Sequence, residues 1–213
     1  MTTEKNEDIF DAVFNVNKEQ LIRVLEKDPK QIGLKIELET KEEKIGYDLE
    51  GKYCLPIEIL VANSDLSMND ANEMFDILVD HGAKITEVSN YDKGTLLHTA
   101  AFSGHLDIIK KVINAGVDVN AIDEDGNTAL HLATCNLKDK AVKVLVENGA
   151  ELSTVIQNKN GKLPIGSIKP YFLDNEKYKE KIEKVFDILK PITERELNKE
   201  YSQGIENPKR PRP

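Results

Sequence analysis

The feature that most constrains the fold of this chain is a short pattern that occurs twice. Asp92–Ala101 and Asp125–Ala133 both contain a threonine, then Leu-His two residues later, then an alanine two residues after the histidine. Three pairs of matching residues are each 33 positions apart, namely Thr95 and Thr128, His98 and His131, and Gly116 and Gly149. Self-similarity at a fixed period of about 20–50 residues predicts a stacked array of small units.

Each repeated unit has the features of two antiparallel helices. Thr95 and Thr128 stand where a first helix should begin, because a threonine hydroxyl can accept a hydrogen bond from a backbone amide of the first turn. Gly104 then allows the chain to turn into a second helix, which Gly116 ends. The second helix of each unit has one apolar face, formed by Ile108, Ile109, Val112 and Ile113 in one and by Ala141, Val142, Leu145 and Val146 in the other.

This pattern, with Gly104-His105 and the closing segment Gly116–Ala121, closely resembles the ankyrin repeat. The resemblance implies an all-α fold, an α-solenoid of about five helix-turn-helix units with β-hairpin finger loops. It also implies that His98 and His131 are structural residues that tie adjacent loops together through hydrogen bonds. His105 is interpreted in the same way, and a metal-binding or catalytic role is the less favoured alternative for these histidines.

The flanking sequence suggests divergent units on both sides of the repeats. Ile9, Phe10, Val13, Leu21, Ile22 and Leu25 are spaced as the apolar faces of two short helices. Pro191 is expected to end the last helix, and a further short helix over Glu194–Tyr201 is an open alternative. The predicted array occupies residues 1–190, with a capping unit at 8–30, an elongated β-hairpin insertion at 34–53, repeats at 54–86, 91–121 and 124–153, a C-terminal capping unit at 158–190 and a flexible tail at 191–213.

The insertion at 34–53 alternates apolar and polar residues on both sides of the polar segment Lys41–Lys44. Alternation with a period of two predicts an extended β-hairpin. Residues 1–50 contain 13 acidic and 8 basic residues, so they contribute −5 to the net charge of −9. The insertion is therefore either a solvent-exposed addition to the fold without a binding role, or an acidic finger loop that binds a basic partner.

The unit at 54–86 is a degraded repeat. Glu58 stands where the repeated histidine would be, and Ser64–Asp70 is expected to lengthen the turn between its helices. Leu55–Leu60 also resembles the opening of an F-box, the helical motif that recruits a ubiquitin-ligase scaffold. An F-box would need Pro56 and Ile57 to be accessible, whereas a repeat would bury them.

Composition excludes several classes of function. The net charge of −9 disfavours direct nucleic-acid binding, which depends on neutralising phosphates. No segment has the roughly 18 uninterrupted apolar residues of a membrane span, and the N-terminus lacks a secretory pattern. Cys54 and Cys135 are far apart, which fits reduced thiols. We therefore expect a cytoplasmic chain, monomeric when alone.

No pattern in the sequence predicts an enzyme. A phosphate-binding loop, a zinc-ligand spacing and a nucleophile elbow are all missing from the sequence. Asp123 and Asp125 are close together, but Gly126 follows them as expected for a hairpin turn. We expect no cofactor, no metal and no small-molecule substrate.

The resemblance implies a partner protein bound across the concave face, which hairpin tips and the exposed side of each first helix would form. Phe102 and Tyr91 are the favoured anchors, since aromatic side chains are enriched among binding hot spots. Phe102 alternatively packs beneath its own hairpin. The candidate partner-binding residues are Tyr91, Asp92, Lys93, Phe102, Ser103, Ile122, Glu124, Asp125, Asn127, Cys135 and Asn136.

Three functional hypotheses follow from these patterns. The first is a non-catalytic interaction module, an effector or adaptor of an intracellular bacterium that is delivered into a host cell. The second is a ubiquitin-ligase adaptor that acts through Leu55–Leu60. The third is a nuclear inhibitor of a basic partner, with Pro208–Pro213 as a basic import signal or proline-rich ligand.

Overall fold

The computed structural model describes residues 8–37, 53–87 and 93–202, and in these ranges the chain is mainly helical. Antiparallel helix pairs stack side by side, and their buried apolar residues form one continuous core from Ile9 to Leu189. The helices are α1 (Ile9–Phe14), α2 (Lys18–Lys27), α3 (Pro56–Ala62), α4 (Met68–Asp80), α5 (Leu96–Ser103), α6 (Leu106–Asn114), α7 (Ala129–Cys135), α8 (Asp139–Glu147), α9 (Pro170–Leu173) and α10 (Lys179–Ser202). None of the helices in these ranges is both long and apolar enough to span a membrane.

The first helix pair is confirmed, with one correction to its predicted core. The Asn17 side chain caps α2 by accepting a hydrogen bond from the backbone amide of Gln20 at 2.9 Å. Leu21, Val24 and Leu25 are the buried residues of α2, whereas Ile22 is exposed. A helix face repeats every three or four residues, so Ile22 lies beside the buried face that starts at Leu21.

Only the two ends of the predicted hairpin at 34–53 are described. Ile36–Glu37 forms strand β1 and Tyr53–Cys54 forms strand β2, and they pair antiparallel with Ile36 opposite Cys54. The rest of the predicted hairpin, residues 38–52, lies outside the described residues.

The degraded repeat keeps the helix start with a different side chain. A carboxylate oxygen of Glu58 accepts a hydrogen bond from the backbone amide of Leu55 at 2.7 Å. The turn between the two helices is shorter than predicted, because Ser67 caps α4 and Met68 is already helical. Pro56 and Ile57 are buried in the stack. Burial of these two residues argues against the F-box interpretation.

The C-terminal unit departs most from the pattern. Where a first helix would lie, only a single 3-10 turn forms, at Pro164–Gly166. The prediction that Pro191 ends the last helix is wrong, because α10 continues through it to Ser202. Beyond Pro191, Thr193 and Glu196 are still buried. An interior proline removes one backbone amide donor and crowds the carbonyl of the preceding turn, and we attribute the continuation of the helix to the burial of this face against the array.

An ion-pair cluster also holds the extension of α10. A Glu196 carboxylate oxygen lies 2.8 Å from the Lys199 ammonium and 3.0 Å from the Arg195 guanidinium. Arg195 also lies 3.2 Å from the carboxylate of Glu151, which precedes a 3-10 turn at Leu152–Val155. The first part of the predicted flexible tail is therefore a docked helix, and residues 203–213 lie outside the described residues.

Candidate protein-binding surface

The two repeated histidines link each unit to the next. Nδ1 of His98 accepts a hydrogen bond from the backbone amide of Thr95 at 3.0 Å, and Nε2 lies 3.1 Å from the carbonyl oxygen of Asn127. Nδ1 is therefore the acceptor, and Nε2–H donates to the next finger loop. His131 repeats this arrangement, with Nε2 3.0 Å from the carbonyl oxygen of Lys162. The predicted tying role is confirmed for both.

His105 makes a third link, in the opposite direction along the array. Its Nε2 lies 2.9 Å from the carbonyl oxygen of Asn63, in the turn of the preceding unit. Burial lowers the pKa of His105, and the nearby Lys138 ammonium lowers it further, against the hydrogen bond to Asn63. Burial also lowers the pKa of His131. Both shifts favour neutral imidazoles, as a structural role requires.

The finger loop of the unit at 124–153 is organised around the buried carboxylate of Asp123. Its Oδ1 accepts hydrogen bonds from the backbone amides of Asp125 at 2.9 Å and Asn127 at 2.8 Å. Its Oδ2 accepts from the Asn127 side chain at 3.1 Å. Gly126 takes a left-handed conformation with φ of +76°, which is the predicted turn chemistry.

Neighbouring finger loops are joined at their tips. The backbone amide of Lys159 donates to the carbonyl oxygen of Asp125 at 2.8 Å. The side chain of Asn158 donates to Oδ1 of Asn127 at 2.9 Å. The Asn127 side chain therefore links two finger loops within the array, and its contact with a partner stays a prediction.

The other predicted partner-binding residues differ in accessibility. Ile122, with 54% of its surface exposed, is the most prominent apolar one. Ser103 is buried because the end of α5 packs into the stack, so it presents little surface to a partner. Tyr91 and Asp92 lie outside the described residues. Lys93, Glu124 and Asp125 are exposed, and Phe102, Cys135 and Asn136 are half-buried.

Phe102 lies beneath a lysine that sequence reasoning missed. The Lys169 ammonium is 5.5 Å from the centre of the Phe102 ring and donates a hydrogen bond to Oδ1 of Asn136 at 2.9 Å. Lys169 therefore spans two units. The spacing contained a signal, because Ser103, Asn136 and Lys169 follow one another at the 33-residue period.

The thiol of Cys135 lies at this surface and is half-buried. Burial raises the pKa of the Cys135 thiol, which disfavours the reactive thiolate, although Lys169 opposes this shift. Across the described residues, no cluster of three or more His, Cys, Asp or Glu side chains is placed to hold a metal ion. Cys54 is buried.

Comparison with known families agrees with the stacked geometry. A family model described as ankyrin repeats, in three copies, matches residues 62–156. The chain carries ankyrin repeats. The matched region includes α4 to α8 and the hydrogen bonds from His98 to Asn127 and from His105 to Asn63.

Individual ankyrin-repeat relatives are much longer than the matched part. The chain is 33% identical over 144 residues, 67% of its length, to a transient receptor potential cation channel subfamily A member 1 homolog of Caenorhabditis elegans. It is 45% identical over 62 residues (29% of its length) to protein phosphatase 1 regulatory subunit 12A of Mus musculus. It is 35% identical over 78 residues (37% of its length) to protein phosphatase 1 regulatory subunit 27 of Mus musculus. The matches span 11%, 6% and 49% of these relatives.

Proposed function

We propose that the ankyrin array is a non-catalytic module that binds a partner protein across its concave face, formed by the finger tips and the exposed sides of α5 and α7. The observation that carries this proposal is the set of bonds between adjacent loops, from His98 to Asn127 and from Lys159 to Asp125. They fix the tips relative to one another before a partner arrives. A preformed surface loses less entropy on binding.

The exposed residues on this face suit a partner with both apolar and basic groups. Ile122 offers an apolar contact, and the carboxylates of Glu124 and Asp125 are exposed on the same turn. Two of the relatives are regulatory subunits of a phosphatase, which supports a role as an adaptor. An effector role for an intracellular bacterium is a finer hypothesis that rests on composition alone.

Affinity capture from a source or host lysate tests this proposal. We expect the wild-type chain to capture specific proteins and an Ile122→Ser/Phe102→Ala variant to lose them, because the variant removes the apolar contacts of the concave face. Leu152→Ser is the matched control, since Leu152 has 60% of its surface exposed but is not one of the proposed contact residues.

Circular dichroism must show that all variants remain folded. If the Ile122→Ser/Phe102→Ala variant captures the same proteins as the wild type, the concave face is not the binding surface. If Leu152→Ser loses the same proteins, binding depends on exposed apolar area in general and the proposal also fails.

A further inference from the structure

A second exposed surface lies in the C-terminal unit, away from the finger tips. Tyr171 and Leu173 in α9 have 67% and 54% of their surfaces exposed. Phe172 lies between them in sequence, and Tyr178 follows a few residues later. We call these four residues the aromatic step. The rings of Tyr171, Phe172 and Tyr178 lie together, and clustered exposed apolar side chains are typical of interaction sites, whereas single ones are ordinary.

The rings of the aromatic step are held in place by one another and by the core. The centre of the Phe172 ring is 4.7 Å from that of Tyr178 and 5.6 Å from that of Tyr171. Phe172 and Tyr178 also pack against the buried core. Tyr171 is thus presented to solvent on an ordered base, which lowers the entropy cost of binding.

Two lysines flank the aromatic step. The ammonium of Lys177 lies 5.6 Å from the centre of the Tyr178 ring, and Lys169 precedes α9 by one residue. Within the described part of the chain, neither ammonium lies within salt-bridge distance of a carboxylate. Lys18, in contrast, lies 2.7 Å from Asp70.

The charge of the segment around the aromatic step differs from that of the rest of the chain. Residues 169–181 contain four lysines and three acidic residues, a net charge of +1, whereas the rest of the chain carries −10. Of the acidic residues, Glu176 lies 3.7 Å from Lys179, and Asp174 is exposed beside Leu173. The aromatic step is therefore an apolar patch in a segment that is slightly positive, although the chain as a whole is acidic.

We propose that the aromatic step binds an acidic segment of a partner protein that also carries apolar side chains. The apolar side chains would pack on Tyr171 and Leu173, and carboxylates would pair with Lys169 and Lys177. Complementary charge fixes the choice of partner and speeds association. This surface adjoins the concave face at Lys169 but involves different contact residues, so it is separable from the function proposed above.

Selection from a random peptide library displayed on phage tests the chemistry of the partner directly. The full chain is the target, and a Tyr171→Ser/Leu173→Ser variant serves for counter-selection. Both residues are exposed, so the variant should keep the fold. We expect enriched peptides that combine Asp or Glu with Leu or Phe and bind the variant at least about tenfold more weakly.

Two further variants separate the contribution of the lysines to peptide binding from any contribution of the concave face. Lys169→Gln/Lys177→Gln should weaken binding and reduce its sensitivity to salt, because two ammonium groups no longer pair with the peptide. Ile122→Ser should leave the affinity unchanged, since Ile122 belongs to the concave face. This result would hold even if the concave face had no partner, so the two proposals fail independently.

Three results would overturn the proposal. The first is no enrichment, or enrichment of peptides without net negative charge. The second is equal loss of binding in the matched control Leu152→Ser. The third is self-association of the wild-type chain in sedimentation that the Tyr171→Ser/Leu173→Ser variant abolishes, since the aromatic step would then be an interface between copies of this chain.

Discussion

The two central repeats share the links between units but differ in the turns within units. The backbone amide of Thr95 or Thr128 donates to Nδ1 of His98 or His131 in both repeats, at 3.0 and 3.1 Å. The turn between the helices, in contrast, has Gly104 in one repeat and Leu137 in the other, and both have positive φ. The spacing of the units depends on a particular side chain, whereas the turn requires only a backbone conformation.

The residue after each turn shows how different side chains contact the preceding unit. His105 bonds to the carbonyl oxygen of Asn63. Its counterpart Lys138 lies over Gly104, where an added Cβ would be 3.0 Å from Cδ of the lysine. The hydrogen bond of His105 and the aliphatic chain of Lys138 therefore contact the same part of the preceding unit, the turn between its helices.

The largest effect is expected from removing either linking histidine. His98→Ala and His131→Ala should each lower the free energy of unfolding by about 3 kcal/mol, because each leaves buried backbone groups without partners. Urea unfolding measures both. His81→Ala is the control and should cost less, since the His81 ring bonds to Ile77 within its own helix. Unequal losses for His98 and His131 would show that the two links are not equivalent.

A smaller loss is expected from Gly126→Ala. The left-handed conformation costs about 1–2 kcal/mol for a residue with a Cβ. The new Cβ would also lie 3.2 Å from the backbone nitrogen of Lys159 in the next finger loop. Thermal or urea unfolding checks the effect, with Gly33→Ala as the control because nothing lies within 4 Å of a Cβ there. A loss no larger than that of the control would contradict the strain at Gly126.

The parts of the fold that follow the repeat could be predicted from the sequence. The 33-residue period correctly predicted the positions of α5 to α8, the residues at which the repeat helices begin and the histidine links. Each of these features depends on residues close in sequence and on a neighbouring unit of the same kind. Local rules failed where tertiary contacts decide. Pro191 indicates a helix end by local chemistry, but Thr193 and Glu196 continue the buried face.

The candidate binding surface was less predictable for the same reason. Exposure of Ile122 follows from its place at a finger tip. Ser103 is buried by packing that the repeat pattern does not specify, and Lys169 reaches Phe102 from a unit that has lost its first helix. A residue's repeat position gives its place on the backbone, but its accessibility depends on the neighbouring units.

The two turn residues provide a test in which the same substitution, to glycine, should change the free energy of unfolding in opposite directions. Lys93 and Leu137 both have positive φ. Lys93→Gly should stabilise the chain by about 0.5 kcal/mol, because Lys93 is exposed and glycine relieves the strain. Leu137→Gly should destabilise it by about 1–2 kcal/mol, since loss of a buried leucine outweighs that relief. Urea unfolding of both variants measures the two changes in the free energy of unfolding. Stabilisation by Leu137→Gly would show that packing of the leucine side chain does not compensate for the backbone strain at residue 137.

The smallest effect is expected on the pH dependence of the free energy of unfolding, because the causes that shift the pKa of His105 oppose one another. Burial and the Lys138 ammonium lower its pKa, and the bond to Asn63 raises it. A pKa that is lower in the folded than in the unfolded chain contributes stability above the unfolded value of 6.5, and this stability is lost as pH falls below 6.5. We therefore expect stability to decrease from about pH 7.5 to about pH 5.5.

Lys138→Met should raise the pKa of His105 and make this decrease shallower, because it removes the ammonium while keeping a long aliphatic side chain over Gly104. An NMR titration of the histidine ring follows the pKa, and urea unfolding at the two pH values follows the stability. Lys140→Met is the matched control, since Lys140 is an exposed lysine of the same helix. If both variants titrate like the wild type, the residue that replaces histidine in the second repeat has no electrostatic influence on the first. The two repeats would then be coupled through packing and backbone hydrogen bonds alone.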